Sequence, residues 1–128
     1  MTGIFQIEDI TGKFKDEFGI LARRFDVHNI PLAKAKDWPG EVAKPGVYVF
    51  WTPQEGVIRV GKSFDNSRKR ALTHISNNTG GMASLGSNSD ARLFLFNPNN
   101  GKDLHWIAGL EVFFEENLHP TVPAKRIG

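Results

Sequence analysis

Arg70 and His74 stand four residues apart, so a helix would set them on one face, where both can close on the same phosphate or water. Arginine brings a permanent planar charge suited to phosphate oxygens, and imidazole exchanges protons near neutrality, as a base or an orienting group. The same run holds Arg59, Lys62, Arg68, Lys69 and Arg70 against one acid, Asp65, so a solvated basic helix face is an equally open reading. Arg68 falls off the His74 face, which singles out Arg70 as the clamp. Glu111 shares a helical stripe with Ile107, Phe114 and Leu118, where a carboxylate is costly unless it is paired or holds a cation. A core ion pair with an arginine and a metal site are the two alternatives. Tyr48 is the only tyrosine and lies between valines, either as a core aromatic or with its hydroxyl at an edge. Hydrolysis of a phosphodiester needs these types: a base for water, positive charge around the pentacovalent phosphate, and a group to neutralise the leaving oxygen.

The elements that must carry these residues are readable in outline. Phe14, Phe18, Leu21, Ala22 and Phe25 recur at helical spacing, so residues 1–44 are expected to be a helical extension packed on the rest. Ile30-Pro31 and Asp37-Trp38-Pro39-Gly40 punctuate it. Val47 to Trp51 and Val57 to Val60 are β-branched and aromatic runs split by the turn residues Thr52 to Gly56, which predicts an antiparallel hairpin. Asp65 or Ser67 is the expected cap of a helix through Ile75. Asn77 to Asp90, rich in Gly, Ser and Asn, is expected to be a mobile loop, and Ala91 to Phe96 a buried strand before the turn at Asn97 to Gly101. A last helix spans about Leu104 to Leu118 and stops before Pro120. The fold class is therefore α+β, a small antiparallel three-stranded sheet flanked by helices, with residues 45–128 as the functional domain.

Composition narrows the partners. The chain has 128 residues, enough for one domain with its own core, and no cysteine, which excludes disulfides and thiolate-held metal sites. No apolar run approaches the roughly 20 residues of a membrane span, and the first residues lack a basic signal-peptide start. A soluble cytoplasmic protein is the expectation. The formal charge of +2 permits a phosphate-rich partner without demanding one, and the basic run around residue 65 says more.

Two motifs compete. Gly56 to Ser63 fits the phosphate-loop pattern G-x-x-x-x-G-K-[ST], but turn residues precede it and its middle positions favour a strand, so a nucleotide-binding protein is the weakest of three readings. Gly46-Val47-Tyr48, ten intervening residues, Arg59-Val60-Gly61-Lys62-Ser63, then Arg70 to His74, Glu111 and Pro120 form the second pattern. This order resembles the signature of the GIY-YIG endonucleases over residues 45 to about 123. The resemblance implies a metal-dependent nuclease acting on DNA, or on RNA. It makes Tyr48, Arg70, His74 and Glu111 catalytic and Glu111 the ligand of Mg²⁺ or Mn²⁺. Arg59, alternating with Ile58 and Val60, is expected to project into the site as a second phosphate contact, with Lys62 and Ser63 as further substrate contacts. In the family the tyrosine moves a proton or positions water at the scissile phosphate. Arg59 replaces the first tyrosine of the second triplet, and Pro123 stands where an asparagine is common. Those departures motivate the runner-up, a nucleic-acid-binding module of the same fold with impaired turnover. Catalysis would require Tyr48, Arg70, His74 and Glu111 to line one concave, solvent-open site, and a Glu111 on the far side of the sheet from Tyr48 would sink the nuclease assignment.

Overall fold

The computed structural model describes residues 5–38 and 44–122. Helix α1 (Ile7–Phe18) starts where the Gln6 N–H donates to Asp9 Oδ2 at 2.7 Å, satisfying a donor that the first turn leaves free. It buries Ile10 and Phe14, and the Phe14 ring meets Phe25 and Phe96 edge-on. Gly19, at φ +52°, ends the helix, and a 3₁₀ turn (Gly19–Arg24) leads into β1 (Phe25–Pro31).

The sheet is fully antiparallel, in the order β1-β4-β2-β3, with β2 (Gly46–Thr52), β3 (Gly56–Ser63) and β4 (Arg92–Pro98), and helices cover it. The expected hairpin is β2 and β3. Four strands replace the expected three, because residues 25–31 leave the helical stripe and pair with β4. Their pattern hides the strand: Phe25 and Ile30, its two buried residues, stand five apart and enter opposite faces.

Alternation along β2 builds two cores. Val47, Val49 and Trp51 join Phe94 and Phe96 on one face, covered by α1 and by α3 (His105–Asn117) through Ile107, Leu110 and Phe114. Tyr48 and Phe50 join Leu93 and Leu95 on the other, covered by Ala71 of α2 (Ser67–Ser76) and by 3₁₀ turns at Leu32–Asp37 and Thr79–Ser87. The latter turn corrects the expected loop. Met82 and Leu85 are buried in it, Asn78, Gly80 and Gly81 supply left-handed conformations, and Asn78 Oδ1 accepts the Ala83 N–H at 2.9 Å.

Asn66, rather than Asp65 or Ser67, caps α2 by accepting the Lys69 N–H at 3.0 Å. Ser67 instead ties the helix down: its N–H and its hydroxyl both donate to the Lys44 carbonyl, at 2.8 and 2.9 Å. Buried Asn97 of β4 donates through Nδ2 to the Pro45 carbonyl at 2.8 Å, the Ser67 hydroxyl at 2.9 Å and the Lys44 carbonyl at 3.2 Å. A methyl group on Gly46 would collide with the Phe96 carbonyl and this amide, which accounts for the glycine. After α3 the chain returns along β3, where the Thr121 and Val122 N–H groups donate to the Val57 and Ile58 carbonyls at 3.2 and 2.7 Å.

Asn97→Ala removes the amide and strands the buried acceptors around it. It should lower stability by about 2 kcal/mol, the order of two net hydrogen bonds, whereas Asn29→Ala on exposed β1 should cost about 0.5 kcal/mol or less. Urea melts of the two variants check the difference.

Candidate active site

The site grows from a bulge in β3. Phe50 faces Arg59 and Trp51 faces Val57, so Ile58 is the extra residue. Strict alternation would point Ile58 and Arg59 apart. The bulge lets Ile58 enter the Tyr48 core while Arg59, opposite Phe50, also serves that face. One step on, Gly61 faces Tyr48, and a methyl group there would overlap the phenol carbon and hydroxyl. The Tyr48 ring thus crosses the β3 backbone, which only glycine permits.

The Tyr48 hydroxyl meets His74 Nε2 at 2.6 Å, and His74 Nδ1 meets Thr79 Oγ1 at 3.1 Å. Tyr48 is 2 % exposed and His74 8 %. Burial raises the Tyr48 pKa, opposed by the charges and hydrogen bonds of Arg59 and Arg70. Burial pushes His74 down to about 4, and the Arg59 and Arg70 charges add to the effect. At neutral pH the pair is a protonated phenol and a neutral imidazole. The Arg59 and Arg70 charges near the Tyr48 oxygen disfavour a further N–H donor aimed at it and favour the tautomer in which the hydroxyl donates to His74 Nε2. His74 then carries its own hydrogen on Nδ1 and donates to Thr79. Neither arginine has a carboxylate partner among the described residues, and Arg59 Nε is buried without an acceptor. Arg70 is exposed and Arg59 half-exposed. The proton-handling pair is therefore covered, unlike the open site expected, and the arginines connect it to solvent.

Glu111 is placed elsewhere. It is 5 % exposed on α3, and its Oε1 accepts from Lys62 Nζ at 3.0 Å, so its counter-ion is a lysine and not the arginine considered from the sequence. Lys62 faces Val47 across the hairpin, hence the α3 side of the sheet, opposite Tyr48. Tyr48, His74, Arg70 and Arg59 come together, whereas Glu111 pairs with Lys62 on the opposite face of the sheet, the placement that counts against one shared catalytic site. β3 is the outer strand, covered by Thr121 and Val122 only at Val57 and Ile58 among the described residues, so the two groups flank its free end. Ser63 closes that end, its Oγ accepting the Asp65 and Asn66 N–H groups at 3.1 and 3.0 Å. No protein-family model, curated protein or solved structure matches this chain. The likeness to GIY-YIG nucleases rests on the residues themselves. Pro123 lies outside the described residues.

Gly56 to Ser63 form one continuous strand, which leaves no loop for the nucleotide-phosphate pattern. Thr79 carries no sequence signal of its role; it lies in the segment expected to be loop, five residues past His74, with no spacing to mark it. Among the described residues no helix is long and apolar enough to cross a membrane.

His74 yields a pH prediction. Its pKa is 6.5 in an ordinary setting and about 4 in the fold, so between these values the unfolded chain binds the extra proton. The resulting stability is complete above 6.5 and is lost as pH falls toward 4. His74→Gln should flatten that part of the stability profile, and thermal melts across the window check it. Gly61→Ala should displace the phenol and break its bond to His74, seen as loss of the shielded imidazole resonance in NMR.

Proposed function

We propose that this chain is a metal-dependent endonuclease of the GIY-YIG type, hydrolysing phosphodiester bonds in nucleic acid, with DNA favoured over RNA. The observation that carries the reading is the pair of arginines, without carboxylate partners among the described residues, gathered on a hydrogen-bonded Tyr48 and His74. Such a cluster repels cations and accepts an anion whose oxygens satisfy the free guanidinium donors.

With a phosphate against Arg59 and Arg70, its negative charge offsets the arginines and raises the His74 pKa. His74 Nε2 then takes the Tyr48 proton while the Tyr48 oxygen takes one from the attacking water. The water oxygen bonds to phosphorus as the leaving oxygen departs, and the arginines stabilise the added charge. Glu111 fits a hard cation. Its carboxylate already holds an ammonium, and Mg²⁺ commonly needs only one or two carboxylates besides waters and phosphate oxygens. No group of three or more possible ligands occurs among the described residues, so Glu111 would act there as a single carboxylate. A bound cation would polarise the phosphate and offset charge on the leaving oxygen. With a cation on Glu111, Lys62 would be released to contact phosphate.

One observation favours the second reading, a binding module without turnover: Glu111 is neutralised by Lys62 and stands across the sheet from Tyr48. Cutting of plasmid and single-stranded DNA with Mg²⁺ and with excess chelator separates the two. Glu111→Gln should abolish cutting and keep binding, whereas Arg70→Ala should weaken both, slowing cutting by roughly 10²–10³ and flattening the salt dependence of binding. Equal cutting in chelator, or a fully active Glu111→Gln at saturating Mg²⁺, sinks the nuclease reading.

Lys62→Met tests the cation exchange directly. It should raise Mn²⁺ affinity several-fold in calorimetry, since no ammonium competes for Glu111, while slowing cutting.

A further inference from the structure

A groove of about 550 Å³ lies along α2 on the side turned away from Arg70 and His74. Arg68, Leu72 and Ile75, spaced four and three apart, share that face, and Lys36 and Lys69 complete the basic rim. No carboxylate lines it among the described residues. Arg68 donates to the Trp38 carbonyl at 3.0 Å and has no carboxylate partner among the described residues. Leu72 and Ile75 supply an apolar floor. A volume of this size, with an apolar floor and a cationic rim, suits one nucleotide: the base on the floor, the phosphate on the lysines.

A second observation points the same way. Phe64 is 52 % exposed and is the only aromatic among the exposed large hydrophobic residues of the described chain. It sits in the turn between Lys62, beside the candidate site, and Asn66, on the rim of the groove. Ser63 Oγ pins that turn by accepting two N–H groups, so the ring is held outward. Such a ring offers a stacking face to a base that has left its own stack.

We infer that the groove on the outer face of α2, together with Phe64, binds unstacked nucleotides flanking the scissile phosphate, and that the chain therefore takes single-stranded nucleic acid. This rests on the phosphodiesterase reading of the Tyr48 site. A helix about 10 Å across separates site and groove, so the groove would take nucleotides flanking the scissile phosphate and not the scissile one itself. A duplex keeps its bases inside and presents phosphates, leaving the apolar floor and Phe64 unused; a single strand uses both.

The test uses the full chain with Lys36→Glu/Lys69→Glu and Phe64→Ala, all at exposed positions. Binding of a labelled oligothymidylate and of a hairpin duplex is measured by anisotropy across a salt series. Hydrolysis of bis(p-nitrophenyl) phosphate with Mg²⁺ is followed in parallel. The charge reversal should weaken oligothymidylate binding and make its salt slope shallower by about 0.7 for each phosphate that is no longer neutralised. Phe64→Ala should weaken it by roughly fivefold or more. Duplex binding and hydrolysis of the small diester should stay near wild type. Unchanged oligothymidylate binding overturns the inference, as does an equal loss on the duplex. If the wild type fails to hydrolyse the small diester, the catalytic reading falls, while the binding comparison still decides the groove.

Discussion

Asn97 clamps three parts of the chain with one buried amide, and the position of the groups on α2 follows from it. The amide reaches the carbonyls that precede β2 and the hydroxyl of the first residue of α2, so sheet and helix share one reference point. Its own Oδ1 finds no partner among the described residues, a cost of about 1–3 kcal/mol at a buried position. Because the helix is held by its first turn, its later turns are aimed across β2 and β3. His74, two turns along, arrives at the phenol of Tyr48. The close packing at Gly46 and Gly61 belongs to the same constraint: each glycine lets a polar group of a neighbouring element approach where a side chain would block it.

The electrostatics follow from that placement. Bringing two guanidinium groups to a buried tyrosine and histidine is unfavourable for a protonated imidazole and favourable for a phenolate. Burial works against either charge. The site therefore holds a neutral pair under positive potential. Glu111 and Lys62 show the opposite strategy, a carboxylate and an ammonium that satisfy each other at 3.0 Å. Removing Lys62 without a replacement would leave Glu111 buried and unpaired, which makes exchange for another cation more favourable than simple release.

Much of this is legible in the sequence, and the failures have physical causes. The hairpin, α2 and α3 carry strong local signals, and the four-residue spacing of Arg70 and His74 carries its geometry with it. β1 is hidden because its two buried residues face different cores. The bulge at Ile58 is set by pairing with β2, which no local pattern records, yet it decides where Arg59 points. Thr79 and Asn97 act through contacts with residues that meet them only in the folded chain. Reading residues 77–90 as a mobile loop mistakes the glycines and Asn78 of compact turns for disorder, although Met82 and Leu85 are there to be buried. For Glu111 the apolar stripe demands a partner but cannot say which cation, since Lys62 is 49 residues away.

The two halves of the candidate site are joined through β3. α2 packs on one face of the sheet and α3 on the other, so Tyr48 and Glu111 belong to separate cores and neither core fixes their relation. An outer strand resolves this in a way an inner strand could not. Its edge, left open beyond Ile58 among the described residues, is a place where groups from both faces can reach one ligand without passing through the core. Arg59, Gly61, Lys62 and Ser63 lie along it, serving the two faces in turn, so a phosphate seated at this edge would have the arginines and phenol on one side and the carboxylate on the other. The edge position leaves the arginines, which have no carboxylate partner among the described residues, above a tightly packed sheet core.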